Sequence, residues 1–304
     1  MAYVFGPVPS RRLGLSLGVD LIPLKTCTYN CLYCQVGRTT RQSLNIESFF
    51  PVTEVLEELG RKLEICSPDA ITFSGSGEPT LSSDIDRVIS FVKERTDTKT
   101  VILTNGSLLW KEDVRRRISG ADIIMPTLTT AFDETFQLIH EPHTDLDLST
   151  IFEGLKSLRR SYRGNLFLEV VLLAGFNDSE KELDGLRRMI GQISPDKIQL
   201  NTVVRPPSDP RAIPLDIKRL EDIKSLFGEK AEIIAQTPLR NGRWEDETAY
   251  ATILEMAKRR PVRARDVANA CGISLEEAES LIKGLFVKGA LRQQEHEGEV
   301  YYME

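Results

Sequence analysis

The chain has 304 residues, a formal net charge of −6 and a hydrophobic fraction of 41%. These values are typical of a soluble globular protein, and they exclude a disordered, collagen-like or coiled-coil chain. No apolar run approaches the roughly 18 residues that a membrane-spanning helix needs, and the first residues lack the pattern of a secretion signal. We therefore expect a cytoplasmic protein with no membrane partner, and its mild acidity argues against a general nucleic-acid binder.

Short apolar strands alternate with amphipathic helices along most of the chain. The strands are predicted at residues 18–23, 70–74, 100–104, 122–126, 167–173 and 197–202, with a last one at 231–235. The helical patterns between and after them cover residues 53–65, 83–95, 148–162, 179–193 and 216–227. Such alternation predicts right-handed crossovers and a parallel sheet. The expected fold is α/β, a partial (β/α)6 barrel of parallel strands whose ligands bind where the strands end.

The pattern changes near residue 242, and we predict two domains, over residues 1–242 and 243–304. The second domain is predicted to contain three helices followed by a β-hairpin. Its third helix begins with Ser274 and has Glu277 three positions later, which is the pattern of a capping box. This order of elements resembles a small winged helix-turn-helix domain.

Three of the five cysteines directly follow the first predicted strand. Cys27, Cys31 and Cys34 form the pattern C-x3-C-x2-C, and an odd number of cysteines argues against a disulfide framework. Three thiolates on one short loop can bind three irons of a [4Fe–4S] cube and leave the fourth iron open. The alternative is a zinc site, which needs a fourth ligand. The only histidines lie far along the chain, at His140, His143 and His296.

The cysteine motif, with the aromatic residue Tyr33 just before its last cysteine, resembles the signature of the radical S-adenosylmethionine (SAM) superfamily. The resemblance implies two cofactors, a [4Fe–4S] cluster and SAM bound to the open iron. It also implies that an electron donor such as a flavodoxin or ferredoxin reduces the cluster. SAM is then cleaved to methionine and a 5′-deoxyadenosyl radical, which abstracts hydrogen from a substrate. The expected activity is therefore that of an oxidoreductase acting on a small molecule, a tRNA or a peptide.

The loop after the second predicted strand contains Gly75, Ser76, Gly77 and Glu78. It resembles the Gly-Gly-Glu motif of the superfamily, with the serine inserted. The resemblance implies that the two glycines bring the backbone close to the methionine part of SAM, while Glu78 complements its charge. The alternative is an ordinary strand-to-helix turn.

Further candidate cofactor-binding residues follow later strands. Thr104 and Asn105 begin a Thr-Asn-Gly sequence that resembles the relatives which build molybdopterin. Thr127 lies where relatives place a residue that meets the ribose hydroxyls of SAM, and Asn201 lies at the expected mouth. The alternative for the threonines is simple turn chemistry, since Asn-Gly favours tight turns.

Two charged residues are candidates for a catalytic role. Glu169 lies within an apolar strand, where an unpaired charge is rare. It either points toward SAM and the substrate or forms an ion pair. Arg205 precedes two prolines and offers a planar fork for a carboxylate or phosphate, or else it is a surface arginine held by those prolines.

Residues 6–12 and the Arg205-Pro206-Pro207 segment are similar to the wyosine-synthase-like branch of the superfamily. That similarity implies a tRNA guanosine substrate as one alternative. A basic group near the end of the first C-terminal helix would then contact the RNA backbone or an acidic partner, or be merely solvated. Its members are Lys258, Arg259, Arg260, Arg263 and Arg265.

A second alternative is a non-catalytic iron–sulfur or zinc regulator that binds DNA through the winged helix. Glu276, Glu277 and Glu279 lie in the first turn of the helix that would enter the groove. Their charges oppose the phosphate attraction that dominates DNA affinity. Sequence-specific DNA binding is therefore not expected.

Overall fold

The computed structural model describes residues 2–234 and 249–304, and most of its first part is organised around a mixed β-sheet. Ten strands are described in residues 2–234: β1 (Val4–Ser10), β2 (Gly14–Val19), β3 (Thr26–Cys27), β4 (Arg41–Gln42), β5 (Ala70–Phe73), β6 (Lys99–Thr104), β7 (Ile123–Pro126), β8 (Asn165–Leu172), β9 (Lys197–Thr202) and β10 (Ala231–Ile233). The helices of this part are α1 (Val52–Ile65), α2 (Ile85–Lys93), α3 (Glu112–Ile118), α4 (Asp133–His140), α5 (Leu148–Ser161), α6 (Glu180–Ile193) and α7 (Ile217–Phe227).

The large sheet has the order β1-β2-β5-β6-β7-β8-β9-β10. Only the β1–β2 pair is antiparallel among the neighbours described, and every other pair is parallel. The α/β fold with a mostly parallel sheet is thus confirmed. The central strands β5 and β7 are buried along their whole length, which is why they read as continuous apolar runs.

The sequence prediction was wrong at the beginning of the chain. Strand β1 was not predicted, and β2 covers Gly14–Val19 instead of residues 18–23. Strand β1 contains Pro7 and Pro9, which remove backbone donors and are tolerated on an edge strand such as this one. Its register also shifts between Phe5 and Val8, so the regular alternation that marks a strand is broken.

Capping side chains fix where three of the predicted helices begin. Asp147, Ser179 and Asp216 each accept a hydrogen bond from a backbone N–H in the first turn of α5, α6 and α7. The short helices α3 and α4 were not predicted. Helix α4 ends at His140 because Glu141 adopts a left-handed conformation with φ of 39°.

The second part contains α8 (Ala249–Arg259), α9 (Ala264–Cys271), α10 (Leu275–Val287), β11 (Arg292–His296) and β12 (Glu299–Met303). The predicted order of three helices and a hairpin is confirmed, as is the capping box of Ser274 and Glu277. The core of this part packs against Val8 and Phe5 of β1. The predicted domain boundary at residue 242 lies outside the described residues. None of the helices described is long and apolar enough to cross a membrane.

Candidate active site at the cysteine loop

The cysteine loop follows β2 and is held by backbone hydrogen bonds to two other loops. The N–H of Lys25 donates to the Ser76 carbonyl at 2.8 Å, and the N–H of Glu78 donates to the Thr26 carbonyl at 3.2 Å. On the other side, the N–H groups of Asn30 and Leu32 donate to carbonyls at the end of α4, both at 2.9 Å. The cysteines are therefore carried by a loop fixed on both flanks.

A cavity of about 300 Å³ lies beside this loop. It is bordered by segments that follow several parallel strands, which is where ligands bind in such folds. Most of the residues predicted from the sequence line it: Cys27, Cys31, Cys34, Tyr33, Gly75, Gly77, Glu169, Asn201 and Arg205. Glu78, Thr104, Asn105 and Thr127 are not part of its lining.

The chemistry of the three thiols fits an iron–sulfur cluster. Burial raises the pKa of Cys27, Cys31 and Cys34, so these thiols are protonated without a metal. Metal binding requires thiolates and therefore releases these protons. Within residues 2–234 and 249–304, no three Cys, His, Asp or Glu side chains converge tightly enough for a single metal ion. Thiols spread around a cavity suit a cube in which each sulfur binds a separate iron better than a tetrahedral zinc site.

Both glycines of the loop after β5 are required by close contacts. Gly75 has a φ of 144°, and a Cβ added there would lie 2.5 Å from the Asp20 carboxyl group. A Cβ at Gly77 would lie 1.7 Å from the backbone oxygen of Thr26, the residue before Cys27. Gly77 therefore lets the cysteine loop and the glycine loop touch through their backbones.

Glu78 has internal hydrogen-bond partners that the sequence did not reveal. Its carboxylate accepts hydrogen bonds from the Thr104 hydroxyl at 2.6 Å, the Asn105 N–H at 2.7 Å, and both the N–H and the hydroxyl of Thr80. Through these donors the Glu78 carboxylate joins the loops after β5 and β6, and its contact with SAM stays a prediction. Asn105 does reach the cysteine loop, since its Nδ2 lies 3.5 Å from the Cys27 sulfur.

Glu169 lies at the cavity wall and also forms an ion pair. The structure therefore combines the two interpretations of this residue, a position facing the cavity and an ion pair. Its carboxylate contacts the Arg12 guanidinium and accepts hydrogen bonds from Asn201 Nδ2 at 2.9 Å and the Thr127 hydroxyl at 3.1 Å. Thr127 therefore supports Glu169, and a direct contact of Thr127 with SAM stays a prediction. The partner of Glu169 was missed because Arg12 is 157 residues away in the chain.

Arg205 is not a surface arginine, which corrects one of the two interpretations. Only 6% of its side chain is exposed, and its Nη1 donates to the Asp266 carboxylate at 3.0 Å and to the Pro261 carbonyl at 2.6 Å. It still lines the cavity, but most of its charge is used to hold α9 against the end of β9. The sequence does not reveal Asp266 as the partner, because that pairing depends on how the two parts of the chain dock.

His140 is a site residue whose role the sequence did not reveal. The backbone of residues 140–143 packs on the cysteine loop. The His140 Nδ1 lies 3.1 Å from the Cys31 sulfur, and its Nε2 lies 2.6 Å from the Thr129 hydroxyl. Burial lowers the pKa of His140 to about 3, so the ring is neutral.

Three of the five members of the C-terminal basic group form internal ion pairs. Arg259 is buried and its Nε donates to the Asp20 carboxylate at 3.1 Å. Arg263 and Arg265 both contact the Glu299 carboxylate. These ion pairs neutralise much of the charge that an RNA backbone would meet.

A sequence profile of the Radical SAM superfamily matches residues 21–186, which is more than half of the chain and includes all three cysteines. The chain belongs to the radical SAM superfamily. Members of this superfamily are enzymes that bind a [4Fe–4S] cluster and SAM, and solved radical SAM structures contain SAM. The two cofactors predicted from the cysteine motif are therefore confirmed as those of the family.

Two relatives align with nearly the whole chain. The GTPase Obg of Brachyspira hyodysenteriae is 37% identical over 307 residues, which cover 98% of this chain but 45% of that protein. The UPF0026 protein MJ1312 of Methanocaldococcus jannaschii is 33% identical over 316 residues, covering 100% of this chain and 96% of that protein. The present sequence has no Gly-x4-Gly-Lys-Ser/Thr phosphate loop.

Solved radical SAM structures share the fold. TYW1 with a lysine-pyruvate adduct bound has a TM-score of 0.55 at 16% identity, over 75% of this chain and 76% of that chain. Streptococcus suis SuiB bound to S-adenosylmethionine has a TM-score of 0.51 at 17% identity, over 70% of this chain and 44% of that chain. At such identities the likeness shows the fold alone and says nothing of the substrate.

Proposed function

We propose that the protein is a radical SAM oxidoreductase that cleaves SAM reductively and abstracts hydrogen from a substrate. The observation that carries this proposal is the single cavity shared by Cys27, Cys31, Cys34 and the loop of Gly75 and Gly77. Three thiols with no fourth ligand among the residues that the structure describes leave a coordination position for SAM.

Each group of residues has a distinct part in this proposal. The three cysteines would hold the cluster, whereas Tyr33, Gly75, Gly77 and Asn201 would contact SAM in the same cavity. The bound cofactors supply the one-electron cleavage of a carbon–sulfur bond and the hydrogen abstraction that follows. The chain itself orients the reactants and excludes water.

Anaerobic reconstitution followed by dithionite and SAM tests the proposal. We expect 5′-deoxyadenosine to form, and we expect its formation to fall below detection in Cys27→Ala, Cys31→Ala and Cys34→Ala, because each variant removes one cluster ligand. Product is measured by chromatography, alongside iron and sulfide content.

Cys271→Ala is a matched control for these variants, since Cys271 lies in the core of the C-terminal part. It is expected to keep its iron and its product. A wild-type protein that holds a reduced cluster and never consumes SAM would contradict the proposal.

His140→Phe is expected to shift the cluster midpoint potential to a more negative value. The Nδ1 of His140 faces the Cys31 sulfur at 3.1 Å, and hydrogen bonds to cluster sulfurs stabilise the reduced state. A hydrogen bond to a charged group is worth roughly 1.5–3 kcal/mol and only part of it differs between oxidation states, so a shift on the order of tens of millivolts is expected. The measurement is an EPR-monitored redox titration.

Phenylalanine preserves ring packing against Tyr29 and Phe136 at His140, so cluster content should be retained. Thr129→Val removes only the hydroxyl on the far side of the ring and should shift the potential less. An unchanged potential in His140→Phe would show that this contact has no electronic effect.

The finer assignments complete the proposal. The order of α8, α9, α10 and the hairpin favours a winged helix, and the mostly parallel sheet favours a partial barrel. The proposed electron donor is a flavodoxin or ferredoxin, as the resemblance to the superfamily implies. A wyosine-type tRNA substrate is less favoured, because much of the basic group forms internal ion pairs.

A further inference from the structure

A second cavity, of about 310 Å³, lies between the beginning of the sheet and helix α8. It adjoins the cysteine cavity, because Arg11, Arg12, Gly75, Gly77 and Arg205 line both. Its opposite wall is formed by residues of α8 and the residue after it, so the C-terminal part of the chain completes it. A molecule in this second cavity would lie directly beside the space in which SAM is proposed to bind.

The wall of the second cavity is rich in arginine, and most of these arginines have carboxylate partners. Arg12 pairs with Glu169, and Arg205 pairs with Asp266. Arg259 is likewise paired, with its Nε 3.1 Å from the Asp20 carboxylate. Among the described residues, no aspartate or glutamate lines this cavity.

Arg260 differs from the other arginines of this wall. Its Nη2 is shielded from solvent and has no hydrogen-bond acceptor among the residues that the structure describes. A shielded donor without an acceptor costs stability.

The surroundings of Arg260 make a bound anion favourable. Burial and the neighbouring charge of Arg205 lower the pKa of Arg260 to about 9, while the charge of Asp266 acts in the opposite direction. Burial and the charges of Arg12 and Arg205 likewise lower the pKa of Arg11 to about 10. An oxyanion in the cavity would supply both the missing acceptor and the missing negative charge.

We propose that the second cavity is a substrate site and that Arg260 binds an oxyanion group of the substrate, a phosphate or a carboxylate. The planar guanidinium matches either group through two parallel hydrogen bonds. This inference rests on the proposed function, since it places the substrate next to SAM. It also gives the C-terminal part a role, which is to provide the anchor of the substrate.

Anion binding to the full-length reconstituted protein, saturated with SAM, tests this inference. Inorganic phosphate and acetate are titrated separately by calorimetry against wild type, Arg260→Met and Arg260→Lys. We expect one of the two anions to bind wild type, with affinity at least tenfold weaker in Arg260→Met and an intermediate value in Arg260→Lys. A preference for phosphate or for acetate identifies which group the substrate carries.

Arg292→Met is the matched control, since Arg292 is exposed on β11 in the same part of the chain. It should bind the anion as wild type does. Arg260→Met should also have an unfolding midpoint equal to or above that of wild type, which a purely structural arginine would not. Equal anion affinity in Arg260→Met, or no binding of either anion, would overturn the inference.

SAM cleavage is measured on the same wild-type preparation, so the two proposals are separated. Arg260-dependent anion binding without any 5′-deoxyadenosine would support the anion site and contradict the radical SAM function. SAM cleavage without Arg260-dependent anion binding would support the radical SAM function and contradict the anion site.

Discussion

Replacing Gly77 with alanine is expected to abolish cluster retention and to lower the free energy of unfolding by about 1–3 kcal/mol or more. The added Cβ would lie 1.7 Å from the Thr26 oxygen and 2.8 Å from Ile22 Cγ2, so the two backbones must move apart. Thr26 directly precedes Cys27, and the displacement therefore reaches the first cluster ligand. Iron and sulfide analysis after anaerobic reconstitution measures the loss.

Gly191→Ala is the matched control, because Gly191 lies in α6 with open space around it. It is expected to raise the free energy of unfolding by about 0.5–1 kcal/mol, since alanine favours helix more than glycine does. Chemical denaturation of both variants makes the comparison. If Gly77→Ala bound iron as wild type does, the close contact of the two loops would not be needed for the cluster.

Asp266→Ala is expected to lower the free energy of unfolding by about 3–5 kcal/mol, because it leaves buried arginines uncompensated. The Asp266 side chain is 1% exposed and contacts Arg205 as well as the backbone and side chain of Arg263. Urea unfolding of the full-length chain measures the loss. Asp145→Ala, at a position where 76% of the side chain is exposed, should change little.

The same carboxylate predicts a dependence of stability on pH. Burial alone would raise the pKa of Asp266, but the charge of Arg205 and the hydrogen bonds from Arg263 hold it well below its ordinary value. A pKa lowered by folding contributes stability above the unfolded-state value of about 3.9, and this contribution is lost as the pH falls below it. Wild type should therefore lose stability more steeply than Asp266→Asn below about pH 4. Parallel curves for the two proteins would contradict this assignment.

The sequence predicted those features that depend on neighbouring residues. The cysteine spacing, the apolar strands β5 to β9 and the capping box at Ser274 are local patterns, and the structure contains each strand and the capping box. Edge strand β1 was not predicted, because its prolines and its bulge interrupt the alternation of apolar and polar residues that marks a strand. Its role as a surface for α8 and α9 is likewise invisible in a local pattern.

The charged contacts of the site were not predictable, because their partners are far apart in the chain. Arg12 and Glu169 are separated by 157 residues, and Arg205 and Asp266 by 61. Charge alone does not say which of 39 basic residues meets which of 45 acidic ones. The fold decides this, and it gives Arg205 and Glu78 internal partners that the sequence did not reveal.

Strand β1 is covered by α8 and α9, which are synthesised long after it, and this order has a consequence for biosynthesis. Its Phe5 side chain lies under Arg259, and Arg259 and Asp20 are 239 positions apart. At about 5–20 residues per second, a ribosome needs roughly 10–50 seconds to make that stretch. During that interval the side of β1 that α8 and α9 later cover stays exposed, and an exposed strand edge of this kind is prone to pair with other chains.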